Sequence, residues 1–271
     1  MSLRAAETLA VARLAPDGAS HEERTVAAEV PIAISFFGIG YAVMMATPAD
    51  LHDFAVGFAR SERLIEAASE IVEVEERPAE GEGILLSIEL APERRDLVFE
   101  RVRHRIGESS CGLCGIENLE QALRPLPKLG PPKSKVSSDR LFAALELLGS
   151  HQPLKAQTGA VHGAAFFDAG GRLVAVREDV GRHNAFDKLI GHALRGGIDL
   201  GEGFALLTSR CSYELVEKAA LAGIGLLVTV SAPTTLAVAR ARKAGLTLIA
   251  LARPDSMLVM TDPHRLFPAG A

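Results

Sequence analysis

From Phe204 to Ala252 the chain alternates short apolar runs with stretches of helical spacing: Phe204 to Thr208, a helix over Tyr213 to Leu221, Gly225 to Val230, a helix over Thr234 to Lys243, then Leu246 to Ala252. Strands separated by a helix run in the same direction, because a tight turn reverses the chain whereas a helical crossover returns it to the starting edge. The segment therefore predicts an α/β fold with an at least partly parallel sheet and helices on its faces. Upstream, Ala164 to Phe167 and Leu173 to Val176 read as a hairpin around Asp168 to Gly171, followed by a helix from Asn184 to Leu194 that stops at Gly196-Gly197.

Parallel strands release their C-terminal ends on one edge, where open α/β sheets bind ligands. The loops expected there are Ser209-Arg210-Cys211-Ser212, Ser231-Ala232-Pro233-Thr234 and Arg253-Pro254-Asp255-Ser256. The first two open helices, whose unpaired amides attract anions, and Arg210 and Arg253 are able to grip phosphate oxygens bidentately. A serine can simply cap a helix and an arginine can simply be solvated. Ser209, Arg210, Ser231 and Arg253 on one edge nevertheless favour a phosphorylated, nucleotide-like ligand.

The densest polar stretch is Arg177-Glu178-Asp179-Val180-Gly181-Arg182-His183-Asn184, with Asp187-Lys188 just beyond. A charge run is usually a solvated face. This one joins a strand to a helix, so Arg177, Arg182, His183 and Asn184 are candidates for contacts to a purine, a ribose or phosphate. His183 and His162 as metal ligands are the less favoured reading, and no metal site is assigned.

In the N-terminal half, Glu29 to Met45 predicts a hairpin around Gly38-Ile39-Gly40. Thr47-Pro48-Ala49-Asp50 predicts a helix start with Thr47 as N-cap, and Leu51, Phe54, Ala55 and Phe58 share one face of that helix. Ile71 to Glu75 and Ile84 to Leu90 read as two further strands, and the first residues of the chain are expected to be frayed. Pro125 to Ser138, with four prolines and three lysines, has the composition of a linker. Ser138 is expected to cap a helix carrying Leu141, Leu145 and Leu148. The chain thus divides into a smaller α+β domain over 1–130 and an α/β domain over 131–271.

The first of these domains ends in Ser109-Ser110-Cys111-Gly112-Leu113-Cys114-Gly115, which holds two of the chain's three cysteines. A zinc site needs four ligands, and Cys211 with a histidine would have to complete the set from distant sequence. A thioredoxin-type couple normally lies at a helix start inside a βαβ unit, whereas this pair lies outside that region between glycines. A sulfur carrier needs an accessible thiolate on a loop able to visit two partners. Carrier and redox couple remain open on the residues alone, with zinc behind them. The zinc deaminase signature is not met, since neither His104-Arg105-Ile106 nor His162-Gly163-Ala164 carries the required glutamate.

A net charge of -5 and a pI near 5.9 give no global basic field for nucleic acid or anionic membrane, and with no Trp and two Tyr an aromatic base-stacking platform is not expected. The apolar runs are too short to cross a bilayer, Met1 to Asp17 lacks the apolar core of a signal peptide, and the cysteine usage fits the reducing cytoplasm.

Taken in order, Ser110 to Gly115, Thr158-Gly159-Ala160-Val161-His162, Arg177 to Asn184 with Asp187-Lys188, Ser209-Arg210-Cys211-Ser212-Tyr213-Glu214 and Val230-Ser231-Ala232-Pro233-Thr234 resemble the FdhD family, sulfur carrier proteins required for formate dehydrogenase activity. The resemblance runs from about Val30 to Phe267. It implies a cytoplasmic homodimer that accepts sulfur from a cysteine desulfurase as a persulfide on Cys111, with Cys114 assisting or protecting it. The sulfur would pass to the molybdenum cofactor in its bis(molybdopterin guanine dinucleotide) form before insertion into formate dehydrogenase. It further implies that Leu251, Ala252, Arg253, Pro254, Asp255 and Ser256 bind the guanine dinucleotide, for which GDP is a mimic, and that the larger domain is similar to the cytidine deaminase fold without its zinc ligands. The alternative is a non-catalytic chaperone that binds the cofactor and the apo-enzyme.

Overall fold

The computed structural model of the 271-residue chain describes residues 4–79, 81–107 and 124–267, and the backbone alone over 104–107. In chain order the elements begin with β1 (Ala6–Ala15), β2 (Gly18–Ala27), β3 (Val30–Phe36), β4 (Ile39–Ala46), α1 (Leu51–Ser61), β5 (Ile71–Pro78), β6 (Ile84–Leu90) and α2 (Arg95–Gly107). They continue with α3 (Ser138–Ser150), α4 (Pro153–Thr158), β7 (His162–Asp168), β8 (Leu173–Asp179), α5 (Arg182–Arg195), β9 (Gly203–Leu207), α6 (Tyr213–Leu221), β10 (Leu226–Thr229), α7 (Thr235–Ala244), β11 (Thr247–Ala250) and β12 (Leu258–Thr261).

The alternation after Phe204 becomes three parallel strands, β9, β10 and β11. They sit in a six-stranded sheet of order β12-β11-β10-β9-β7-β8, whose β7 runs antiparallel to β8 and β9 and whose β12 runs antiparallel to β11. Side chains alternate between its faces, so both faces are dry. Phe167, Phe204, Leu206, Val228 and Ile249 pack with Leu141, Ala144 and Leu148 of α3 on one side. Phe166, Ala205, Leu207, Leu227 and Leu248 meet α5, α6 and α7 on the other. Four-residue strands such as LLVT and TLIA, fully buried, read as continuous apolar runs for this reason.

The second sheet, of order β4-β3-β6-β5, packs Ile32, Ile34, Phe36, Leu86 and Ile88 against Phe54 and Phe58 of α1. Helix α1 is then laid on α5 at backbone distance. A Cβ on Gly57 would lie 1.8 Å from the Asp187 carbonyl oxygen, and one on Gly191 would lie 1.8 Å from that of Asp53. Only glycine permits that approach. Helix α5 is therefore wrapped on both sides, and even its polar Asn184, Asp187 and Lys188 are buried.

Several expectations change. Thr47 is not the N-cap: the helix begins after Asp50, which adopts a left-handed conformation (φ 54°) and makes no side-chain cap. Thr47 is fully buried, with its amide donating to Asp179 Oδ2 (3.0 Å), its hydroxyl accepting from the Val180 amide (3.2 Å) and its carbonyl accepting from Lys188 Nζ (2.9 Å). Tertiary bonds therefore outbid the local cap. The cap of α3 is Ser137 rather than Ser138. Residues 4–27, expected to include a frayed start, hold the β1–β2 hairpin, a separate two-stranded sheet. Pro125 to Ser138 carries no regular structure until its final residue opens α3, yet it is tied down: the Leu129 amide donates to the Ala244 carbonyl (2.8 Å), Lys133 pairs with Asp199, and Val136 is buried.

Candidate functional site: a cationic edge of the parallel sheet

The three loops that follow β9, β10 and β11 are laced side by side. Cys211 and Pro233 form a parallel bridge, with the Cys211 amide donating to the Ala232 carbonyl (3.2 Å) and the Thr234 amide to the Cys211 carbonyl (3.0 Å). The Ser231 amide reaches the Ser209 carbonyl (3.4 Å), the Leu251 amide the Ser231 carbonyl (3.4 Å), and the Ala252 amide the Thr229 carbonyl (3.1 Å). Leu251 is held at φ 53°, a left-handed conformation that costs a leucine on the order of 1 kcal/mol or more. That strain turns the chain away from β11, so that Arg253, Pro254, Asp255 and Ser256 are exposed at the edge while Ala252 stays buried. Arg253 braces the arrangement by donating to the carbonyls of Val230 and of Ala252 (2.9 Å), and its amide closes a turn on the Ser256 carbonyl (2.8 Å).

Helix starts open onto the same edge. Helix α6 follows Ser212, and α7 follows Thr234, whose hydroxyl accepts from the Ala237 amide (3.2 Å). Arg182 and His183 lie in the first turn of α5, which emerges there because the C-terminal end of β8 pairs with the N-terminal end of β7 (His162 opposite Asp179). His183 Nε2 lies 2.9 Å from Glu214 Oε2 and 3.3 Å from Ser212 Oγ, joining α5 to the start of α6. The hydrogen bond to His183 is the main cause that holds the Glu214 carboxyl below its ordinary range.

His162, not among the assigned site residues, lies at the same edge. Because β7 runs antiparallel to β9, its first residue falls beside the last of β9, and the Gly163 amide bonds Thr208 Oγ1 (2.9 Å) while the Thr208 amide returns to the Gly163 carbonyl (3.0 Å). Burial, and then the charges of Arg182, Lys155, His183 and Arg210, push the His162 imidazole below its ordinary pKa. The signal that could have found it is topological: an antiparallel neighbour presents its beginning where parallel strands present their ends.

The polar stretch 177–184 divides. Arg182 and His183 join the edge. Arg177 instead binds Asp53 of α1 (Nε to Oδ2, 2.8 Å) and His192 Nδ1 (2.6 Å), and Asn184 donates to the Met45 carbonyl (2.9 Å) and to Asp179 Oδ1 (3.1 Å). Those two, with Asp179, Asp187 and Lys188, fasten α5 to the N-terminal sheet and α1. Ser209 is buried, its hydroxyl donating to the Arg210 carbonyl (3.0 Å), whereas Arg210 is exposed and Ser231 half-buried. Cys211 has no solvent exposure, and burial pushes its thiol up to about 12, so this cysteine is neither a nucleophile nor a ready ligand. Cys111 and Cys114 lie outside the described residues, and among the described residues no group of three or more His, Cys, Asp or Glu is placed to hold a metal ion. Among the described residues, too, no helix is long and apolar enough to cross a membrane.

Fold and edge together define a mixed α/β protein with a cationic edge at the C-terminal ends of its parallel strands. The chain belongs to the FdhD/NarQ family, whose profile matches residues 27–267. It is 49% identical over 243 residues (89% of this chain, 85% of the relative) to the "Sulfur carrier protein FdhD" of Xanthomonas euvesicatoria pv. vesicatoria. It is 46% identical over 244 residues, 90% of each chain, to the protein of the same description in Agrobacterium fabrum. Among solved structures it superposes with a TM-score of 0.76 and 26% identity on a crystal structure described as a formate dehydrogenase accessory protein from Desulfotalea psychrophila, covering 96% of this chain and 98% of that one.

Proposed function

We propose that this protein is a sulfur carrier serving formate dehydrogenase. The Cys111 thiolate attacks the outer sulfur of a persulfide on a cysteine desulfurase; a Cys111 Sγ–S bond forms as the donor S–S bond breaks, and the donor cysteine departs as thiolate. The outer sulfur would then pass to the molybdenum cofactor, which supplies the electron pair of the new bond as the Cys111 Sγ–S bond breaks and Cys111 departs as thiolate; the bis(molybdopterin guanine dinucleotide) phosphates would rest on the edge formed by Ser209, Arg210, Ser231, Leu251 to Ser256, Arg182 and His183. Cys114 assists or protects the persulfide. Residues 131–271 are read as a cytidine-deaminase-like domain, and the protein as a cytoplasmic homodimer.

The observation that carries the reading is the convergence of Arg182, His183, Arg210 and two helix starts on three interlocked loops, in a chain nearly half identical to proteins described as sulfur carriers. Such an edge suits a polyphosphate, because backbone amides and guanidinium groups supply charge and direction together.

The test is mass spectrometry after incubation with a cysteine desulfurase and cysteine. A carrier gains about 32 Da, one sulfur atom, on Cys111, and the gain is reversed by a thiol reductant. Failure of the intact protein to gain it, or an undiminished gain in Cys111→Ala, overturns the assignment and leaves the chaperone reading.

A further inference from the structure

We propose that His162 is a ligand-contacting residue of the cationic edge, and that binding of a pyrophosphate diester there is accompanied by proton uptake on its imidazole. The inference rests on the anion-binding reading of the edge and adds to it a residue and a proton.

The argument begins with position. His162 is the first residue of β7, set between the end of β8, where it pairs with Asp179, and the Thr208 turn that leads into Arg210. The charges that act on it come from three neighbouring parts of the fold: Lys155 of α4, Arg182 and His183 of α5, and Arg210 of the loop after β9. Four positions before His162, the Thr158 carbonyl accepts from the guanidinium of Arg24 of β2 (3.2 Å).

Nearby carboxylates are already engaged. Glu178 accepts the amides of Leu154 and Lys155 (both 2.9 Å), Asp179 is buried against Lys188 (2.6 Å), and Glu214 is bound to His183 (2.9 Å). His162 is thus a half-buried imidazole on which several cations act, and burial together with those charges disfavours its protonated form in the free protein.

An anion placed among Arg182, Arg210 and His162 reverses that balance. Its charge offsets the arginines and makes the imidazolium favourable, so the free and bound proteins differ in proton count. The sign follows. In the free protein the His162 pKa lies below the ordinary histidine value of about 6.5, and in the complex it lies higher. Between the two values binding takes up a proton, and affinity weakens as pH rises; below the lower value and above the higher one it is flat.

The probe is diguanosine pyrophosphate, whose two phosphates are diesters and do not titrate near neutrality, so that any proton taken up belongs to the protein. Calorimetric titration of the full chain in two buffers of different ionisation enthalpy counts the protons. The expected result is an uptake of up to about one proton and a Kd that rises by at most about tenfold per pH unit in the window. His162→Gln, with His162→Asn as a second variant, should bind with a flat pH profile and no uptake. Binding by the unsubstituted protein with no uptake overturns this inference and leaves the phosphate reading standing. Uptake that persists in His162→Gln, or that vanishes in His183→Gln while His162→Gln retains it, also overturns it. No binding of the dinucleotide to the unsubstituted protein overturns both the inference and the phosphate reading.

Discussion

Lys188 Nζ lies 2.6 Å from Asp179 Oδ2, and neither side chain has any exposure to solvent. The pair does more than neutralise itself. Asp179 also accepts the amides of Thr47 (3.0 Å) and Gly181 (2.7 Å), and Lys188 donates to the Thr47 carbonyl (2.9 Å). One buried ion pair therefore anchors the β4–α1 junction and sets the turn that leads into Arg182 and His183 at the cationic edge.

Removing one partner leaves an uncompensated charge in a dry place. Lys188→Met is expected to lower the unfolding free energy by about 3–5 kcal/mol, measured by chemical denaturation. Asp179→Asn should cost a similar amount, because it leaves the buried Lys188 ammonium without its counter-charge and turns an amide NH2 toward groups that donate to the carboxylate. Equal stability of Lys188→Met and the unsubstituted protein would show that the pair is not buried as described.

Gly191→Ala places a methyl group where the Asp53 carbonyl oxygen stands, at 1.8 Å. Because backbone rather than a flexible side chain is met, α1 and α5 must separate. The loss should reach or exceed the ~1–3 kcal/mol typical of overpacking. Gly130→Ala, which meets nothing within 4 Å, is the matched control, and a variant pair with equal melting temperatures contradicts the packing.

Cys211 should be silent toward alkylating reagents in the folded protein, since its thiol is buried and pushed up to about 12. In a Cys111→Ala, Cys114→Ala double variant, iodoacetamide at pH 8 is expected to add nothing under native conditions and one equivalent in denaturant. Rapid native labelling would mean that the loop after β9 opens.

Arg210 is exposed at the edge, so its replacement tests binding without testing the fold. Arg210→Ala should weaken GDP binding by about ten- to a hundredfold, the worth of one charge-assisted contact, with the melting temperature unchanged. Undiminished affinity would remove Arg210 from the site.

The depressed pKa of His162 also has a consequence for stability. A histidine that resists protonation in the fold but not when unfolded contributes no penalty above the unfolded value of about 6.5. As pH falls from there toward the folded value, the unfolded state binds more protons and stability declines; below the folded value this contribution levels off. The unsubstituted protein should therefore lose stability between neutrality and mildly acid pH by an increment absent from His162→Gln, read from denaturation curves across that range.

Much of the architecture was legible because local pattern and burial coincide. The run Leu226–Thr229 is apolar because both sheet faces are covered, and Tyr213–Leu221 shows its period because one face meets the sheet. Thr47 failed as a cap because its polar groups found better partners on β8 and α5, over a hundred positions away in sequence. The β1–β2 hairpin went unread because its strands lie mostly in solvent, with no buried face to impose alternation. At the site, Arg210, Ser231 and Arg253 were legible as loop residues after strands. The division of 177–184 was not, since one strand end sends Arg177 to α1 and Arg182 to the cationic edge.

The sequence by itself determined the α/β alternation, the parallel strands, the loops that carry the cationic edge and the family to which the chain belongs, because each of these is written in short-range periodicity and ordered motifs. Tertiary structure alone decided that α5 is clasped between the six-stranded sheet and α1, that Cys211 is buried, that Lys188 and Asp179 neutralise each other, and that His162 stands among cations. These depend on which distant segments exclude water from one another, and desolvation is a property of the assembled neighbourhood that no residue carries alone.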